Sequence, residues 1–297
     1  MHKYLRAIGF SKIKNRLQYD PIYKEIIRNP DHRSISSTGL GSSTIQLDKK
    51  FGDYIGISMV GEIDLTGETF YEHSFPFILP SAYRRDEESR VEKHCYNESY
   101  AGIMEDIGMS IVYHVQNIAD YNRYMWYTKK TVVDGVHFAA LSLEGKILLP
   151  LATTKDATEA YDQNIEHSYH LLEKAKQGDS FANEELMMKN IMEKNEADKR
   201  AENEDIFTIV KSSLIPWGVE CEDYELTGTI IRVGSDKNTY TNEEIYMLLV
   251  RCNEIIVNIA INKTDLIGTP VVGRRFRGVI WLQGYLPVTD YDGAPLS

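Results

Sequence analysis

Hydrophobic positions along the chain follow two periods. From Ile45 the period is two: Ile55, Ile57, Met59, Gly61, Ile63 and Leu65 share one face, and Tyr54, Gly56, Ser58, Val60, Glu62 and Asp64 the other. Thr66-Gly67-Glu68 then turns the chain into a returning strand over Thr69–Leu79, which is the pattern of antiparallel sheet. Met109–Gln116 predicts a further strand, Ile118–Tyr127 a tyrosine-rich helix or turn, and residues 136–149 a hairpin turning at Glu144-Gly145. Within the charged stretch 81–100 a helix is expected over Glu87–Tyr96. Ahead of these strands, residues 3–30 carry helical spacing, broken at Gly9, restarted at Ser11 and ended by Asn29-Pro30.

Beyond Pro150 the period becomes helical. Asp156 and Glu159 form a capping box for a helix closed by Gly178; a second helix is expected from Phe181, and a third over Ile206–Leu214, stopped by Pro216-Trp217-Gly218. Alternation returns in Leu226–Gly234, Glu244–Cys252 and Ile255–Asn262, followed by a short helix over Lys263–Ile267 that Asn262 can cap, and by the strand Arg274–Leu286. Three strands, a short helix and a strand make the order of an OB-like barrel with one strand missing, for which Val219–Tyr224 is available. The expected fold is α+β: a mixed antiparallel sheet with helices over residues 1–150, an acidic helical bridge over 151–218 and an OB-like β-barrel over 219–297.

Charge sharpens that division. The formal net charge is −11, yet residues 151–225 hold 18 Asp/Glu against 8 Lys/Arg and so carry ten of the surplus negative charges. This balance argues against a general nucleic-acid binder. Three cysteines, Cys95, Cys221 and Cys252, are too few and too dispersed for a disulfide framework, and the N-terminal residues lack the apolar run of a secretion signal. No apolar stretch is long enough to span a membrane. A cytoplasmic protein is expected.

Candidate chemistry is sparse. Gly39-Leu40-Gly41, within the small-residue loop Ser36–Thr44, has no lysine after it and no strand predicted before it, so it does not read as a phosphate cradle. His167 and His170 lack the converging third ligand a metal needs, and His94-Cys95 with Glu98 lacks a catalytic partner. His73, His114 and His137 fall on predicted strands and would make an enzymatic site only by converging on one pocket. No cofactor, metal or catalytic residue is assigned. The strongest binding candidate is the aromatic and basic set Arg232, Tyr246, Arg251, Arg274, Arg275, Arg277, Trp281 and Tyr285. Four of these, Arg275, Arg277, Trp281 and Tyr285, alternate along one face of the last strand, a surface suited to stacking single-stranded bases or to packing against another part of the chain. The packing reading is favoured, with the arginines facing the acidic bridge and the strand joining the two lobes.

His2–Lys14 (HKYLRAIGFSKIK), Gly145–Leu151 (GKILLPL) and Ile261–Tyr285 (INKTDLIGTPVVGRRFRGVIWLQGY) resemble domain-of-unknown-function family 3881, full-length proteins of clostridial bacteria. The resemblance spans nearly the whole chain and implies a bacterial cytoplasmic protein; it transfers no catalytic or ligand-binding residue. The function expected first is non-catalytic binding or protein interaction, with a protein partner. Single-stranded nucleic-acid binding through the last lobe comes second, and an enzyme with a site in the N-terminal lobe third.

Overall fold

The computed structural model describes residues 2–37, 43–93, 99–106, 109–148 and 212–289, with scattered positions between 171 and 192. Its architecture is mostly β and consists of two sheets. The expected α+β fold with a C-terminal OB-like barrel is thereby corrected. Much of the expected helical bridge, and with it His167 and His170, lies outside the described residues, as do His94, Cys95 and Glu98.

The first sheet has four antiparallel strands in chain order: β1 (His32–Ser37), β2 (Ser43–Lys50), β3 (Ile55–Ile63) and β4 (Thr69–Ile78). A strand does precede the glycine loop, contrary to expectation. The β3–β4 turn forms where predicted, with the Asp64 carboxylate accepting from Thr66 N, Thr66 Oγ1 and Glu68 N.

The second sheet has ten strands: β5 (Arg84–Lys93), β6 (Tyr100–Asp106), β7 (Met109–Val115), β8 (Val132–Leu148), β9 (Ser213–Pro216), β10 (Asp223–Lys237), β11 (Glu244–Cys252), β12 (Ile255–Asn262), β13 (Leu266–Ile267) and β14 (Arg275–Tyr285). Strand β8 explains why the late strands do not form an OB-like barrel of their own. It runs unbroken for 17 residues where a hairpin was expected, and pairs β5, β12, β13 and β14. Gly145 does not turn the chain: a Cβ there would lie 2.5 Å from the Phe276 ring, so the glycine makes room for that ring of the paired strand β14. Two expected helices are corrected where they are described: residues 87–93 of the one over Glu87–Tyr96 belong to β5, and Ser213 and Leu214, the end of the one over Ile206–Leu214, belong to edge strand β9 on β10. Residues 94–96 and 206–211 lie outside the described residues.

Strand β14 pairs β8 over eleven positions and β10 on its other side, with a short parallel contact to β7. It joins early and late parts of the chain. Gly284 and, on β6, Gly102 close on the same ring: Cβ atoms there would stand 2.4 and 2.1 Å from Tyr113. Helices complete the frame. A 3-10 helix, Lys3–Ile8, ends at Gly9 with φ 89°, and α1 (Arg16–Arg28) starts at Asn15, whose side chain accepts from Gln18 N, rather than at Ser11. Helix α2 (Ile118–Thr128) crosses the ends of β1 and β2.

Candidate functional site

A cleft of about 840 Å³ opens between the first sheet, the start of α2 and the end of β14. Its floor is built from side-chain amides. Gln46, on β2, donates through Nε2 to Gln116 O (2.8 Å), Ser58 Oγ (3.0 Å) and Asp48 Oδ1 (3.1 Å), while its Oε1 accepts from Ala119 N (3.1 Å). Gln116 Nε2 donates to Gln283 Oε1 (2.8 Å) and Ile78 O (3.0 Å), and Gln283 Nε2 donates to Pro76 O (2.8 Å). Asn117 closes a reciprocal pair with the backbone of Leu286, both bonds 2.9 Å. These amides satisfy backbone groups of β4, α2 and the chain after β14, as buried polar groups require.

Four titratable side chains from four elements meet in the cleft: His32 of β1, Asp48 of β2, Asp120 of α2 and Tyr285 of β14. Burial pushes the Asp48 carboxyl above the usual carboxylate range, against hydrogen bonds from Ser58 and Gln46, and the charge of Asp120 pushes it further. Burial likewise raises Asp120, which accepts from Ser34 Oγ at 2.8 Å. The Tyr285 hydroxyl is raised by burial first and then by Asp120 and Asp48. Among the described residues no lysine or arginine forms an ion pair with Asp48 or Asp120. At the mouth Lys49 is held by Asp31 at 3.2 Å, and the Asp236 carboxylate fixes the rim loop through Asp53 N (3.2 Å) and Tyr54 N (2.8 Å). The wall adds Phe77, Leu79 and Pro80. Paired groups perturbed by burial and by one another inside a concavity are the physical signature of a functional site. No group of three or more His, Cys, Asp or Glu among the described residues is placed to hold a metal ion.

Of the eight residues expected to bind, only Tyr285 lines this cleft. Trp281 is 5% exposed, with its ring centroid 4.4 Å from that of His2, 4.9 Å from His114 and 5.5 Å from Tyr4. The face of β14 is therefore covered, and its cover at Trp281 is the N-terminal segment together with β7. Arg275 is buried, which lowers its pKa; Arg277 pairs with Glu225 on the neighbouring strand; Arg274 donates to Thr269 O. Tyr246 is half-buried beneath the Lys263 ammonium, whereas Arg232 and Arg251 are exposed on β10 and β11. The three strand histidines do not make one pocket: His73 and His114 flank Phe75, but His137 bonds Ser81 O at 3.0 Å instead.

Sequence pattern missed Asp48, Asp120, His32 and the amide floor. Thr44, Gln46 and Asp48 alternate with Ile45 and Leu47, which reads as a solvent face; in the fold α2 covers that face, leaving Thr44 and Gln46 buried. The one signal available was Gln116-Asn117 with Asp120, a polar group next to an otherwise apolar strand.

Searches of curated proteins and of solved structures give no match to this chain. The family model described as "Domain of unknown function, E. rectale Gene description (DUF3881)" matches residues 5–284, nearly the whole chain, so the protein belongs to that family.

Proposed function

We propose that the protein is a non-catalytic binding protein whose ligand is a small molecule held in the cleft between the first sheet and α2. The observation that carries this reading is the convergence of Asp48, Asp120, His32 and Tyr285 from four separate elements on a cavity of about 840 Å³, a size typical of small-molecule sites. The saturated amide floor supports it, because such a network holds Asp48 in one position before any ligand arrives.

The single-stranded nucleic-acid reading has less support, since Trp281 and Arg275, two of the groups it needs, are buried. Ligand-observed NMR of a fragment library, run on the native protein and on Thr239→Trp, tests the proposal. Thr239 is exposed on the cleft rim, and the hydrogen bond it makes to Phe51 O uses its backbone, so an indole there narrows the mouth without removing that bond. Fragments that bind the native protein and are lost in Thr239→Trp are expected. Binding that Thr239→Trp leaves unchanged across the library would overturn the reading.

A further inference from the structure

Resting on the cleft as the ligand site, the chemistry of its lining names a ligand class. We propose that the cleft takes a small organic ammonium ion, its charged head between Asp48 and Asp120 and its apolar body against Phe77, Leu79 and Pro80.

Three observations converge on this class. First, the cavity has two characters: carboxylates and amides on one side, and an aromatic and aliphatic wall on the other. A ligand filling it must itself be amphipathic. Second, each inner carboxylate accepts hydrogen bonds from neutral donors, Gln46 and Ser58 for Asp48 and Ser34 for Asp120, which leaves room for a charge-assisted bond to an incoming N–H. Third, no lysine or arginine among the described residues forms an ion pair with either inner carboxylate, and Lys50, which also lines the cleft, is exposed. Lys49 is held by Asp31, and the Arg123 guanidinium donates to Ser34 Oγ and Ile35 O at 3.3 and 3.0 Å.

A divalent metal is the rival occupant, and the donor set argues against it. Metal binding calls for three or more converging ligands, and the described residues offer no such group. An ammonium needs only two acceptors and an apolar neighbour. An anion would meet two carboxylates that no lysine or arginine among the described residues pairs, a repulsive arrangement.

Isothermal titration calorimetry with three isosteric probes tests the inference: 2-phenylethylamine, 2-phenylethanol and phenylacetate, on the native protein and on Asp48→Asn and Asp120→Asn. The amine is expected to bind about tenfold or more tighter than the alcohol, with phenylacetate weakest. Each Asn variant should weaken the amine by about tenfold and leave the alcohol unchanged, which separates lost charge from lost folding. Amine binding that survives both substitutions would overturn the proposal. Equal binding of all three probes, abolished by Thr239→Trp, would overturn the ammonium class while leaving the cleft as the site. If none of the three binds, the ammonium class fails, and the fragment screen decides the cleft separately.

Discussion

Trp281 lies against Tyr4 with ring centroids 5.5 Å apart and planes 14° from parallel, so the last long strand and the first turn of the chain share one aromatic stack. Tyr4 OH donates to Asp223 at 2.9 Å, and Lys3 bridges Asp223 and Glu220 at 2.8 and 2.7 Å, which fastens the same segment to β10 and the turn before it. Trp281→Ala removes the central ring of this contact. A loss of about 3–5 kcal/mol is expected, the usual cost of truncating a buried large aromatic, read as a lower midpoint in urea denaturation. Salt-dependent binding of the native protein to a single-stranded oligonucleotide, lost in a folded Trp281→Phe variant, would contradict a purely structural role for this side chain.

His2 sits over the same tryptophan and gives the stack a pH dependence. Burial pulls its imidazole down to about 4, with Glu220 opposing the shift and Lys3 adding to it. In the unfolded chain the group titrates near the ordinary imidazole value of 6.5. Between these two values the unfolded state holds more protons, so stability falls as the pH is lowered through this window and the loss is complete below the folded value. The contribution is on the order of 3 kcal/mol. His2→Phe, which keeps a ring on Trp281, should flatten the curve of denaturation midpoint against pH between 6.5 and 4 relative to the native protein.

Gln46 carries more of the cleft floor than any pattern in the sequence implies. Its amide serves Ala119 N, Gln116 O, Ser58 and Asp48 together, and the residue is 4% exposed. Gln46→Leu conserves much of the volume and strands these partners. Each buried group left without a bond costs about 1–3 kcal/mol, less where cleft water reaches it. A net loss of about 2–4 kcal/mol is expected, together with faster amide exchange at Ala119. A substitution without measurable effect on stability would mean that the floor is wet and the amide dispensable.

Local pattern fixed much of the strand structure and little of the assembly. The β3–β4 hairpin, the strands β11 and β12 and the Asn262 cap are local events, each determined by a few neighbouring residues, and they form where expected. Over residues 87–93 the helix expected for Glu87–Tyr96 gives way to β5, which carries little apolar alternation: its buried positions are Ser89 and Val91, and the rest is charge on exposed or half-buried positions. Pairing with β6 and β8 decides its state, a tertiary override of local preference. The same limit produced the OB-like reading of the late strands. Their missing partner, β8, precedes them by about eighty residues, with the acidic stretch between. The cleft was hidden for a related reason, since its four groups meet only after α2 has folded over β1 and β2.

Asp48 and Asp120 should be a burden on the empty protein. Both carboxyls have folded-state pKa values raised by burial, and each stands in the field of the cleft, where Asp48 also feels the charge of Asp120. In the folded state each holds its proton to higher pH than it would in the unfolded chain. Their contribution to stability is therefore greatest below the unfolded carboxylate range and declines as the pH rises through the raised folded values. Asparagine keeps an oxygen to accept from Gln46 or Ser34 and removes the charge. Asp48→Asn and Asp120→Asn are thus expected to raise the melting temperature of the ligand-free protein at pH 8, with the gain shrinking toward pH 4. Stabilisation by loss of an ionisable pair in a cavity is the mark of residues kept for a ligand rather than for the fold. Differential scanning calorimetry at the two pH values decides the matter: a lower melting temperature at pH 8 in both variants would instead make the carboxylates structural, and would remove the energetic reason for leaving them without a basic partner.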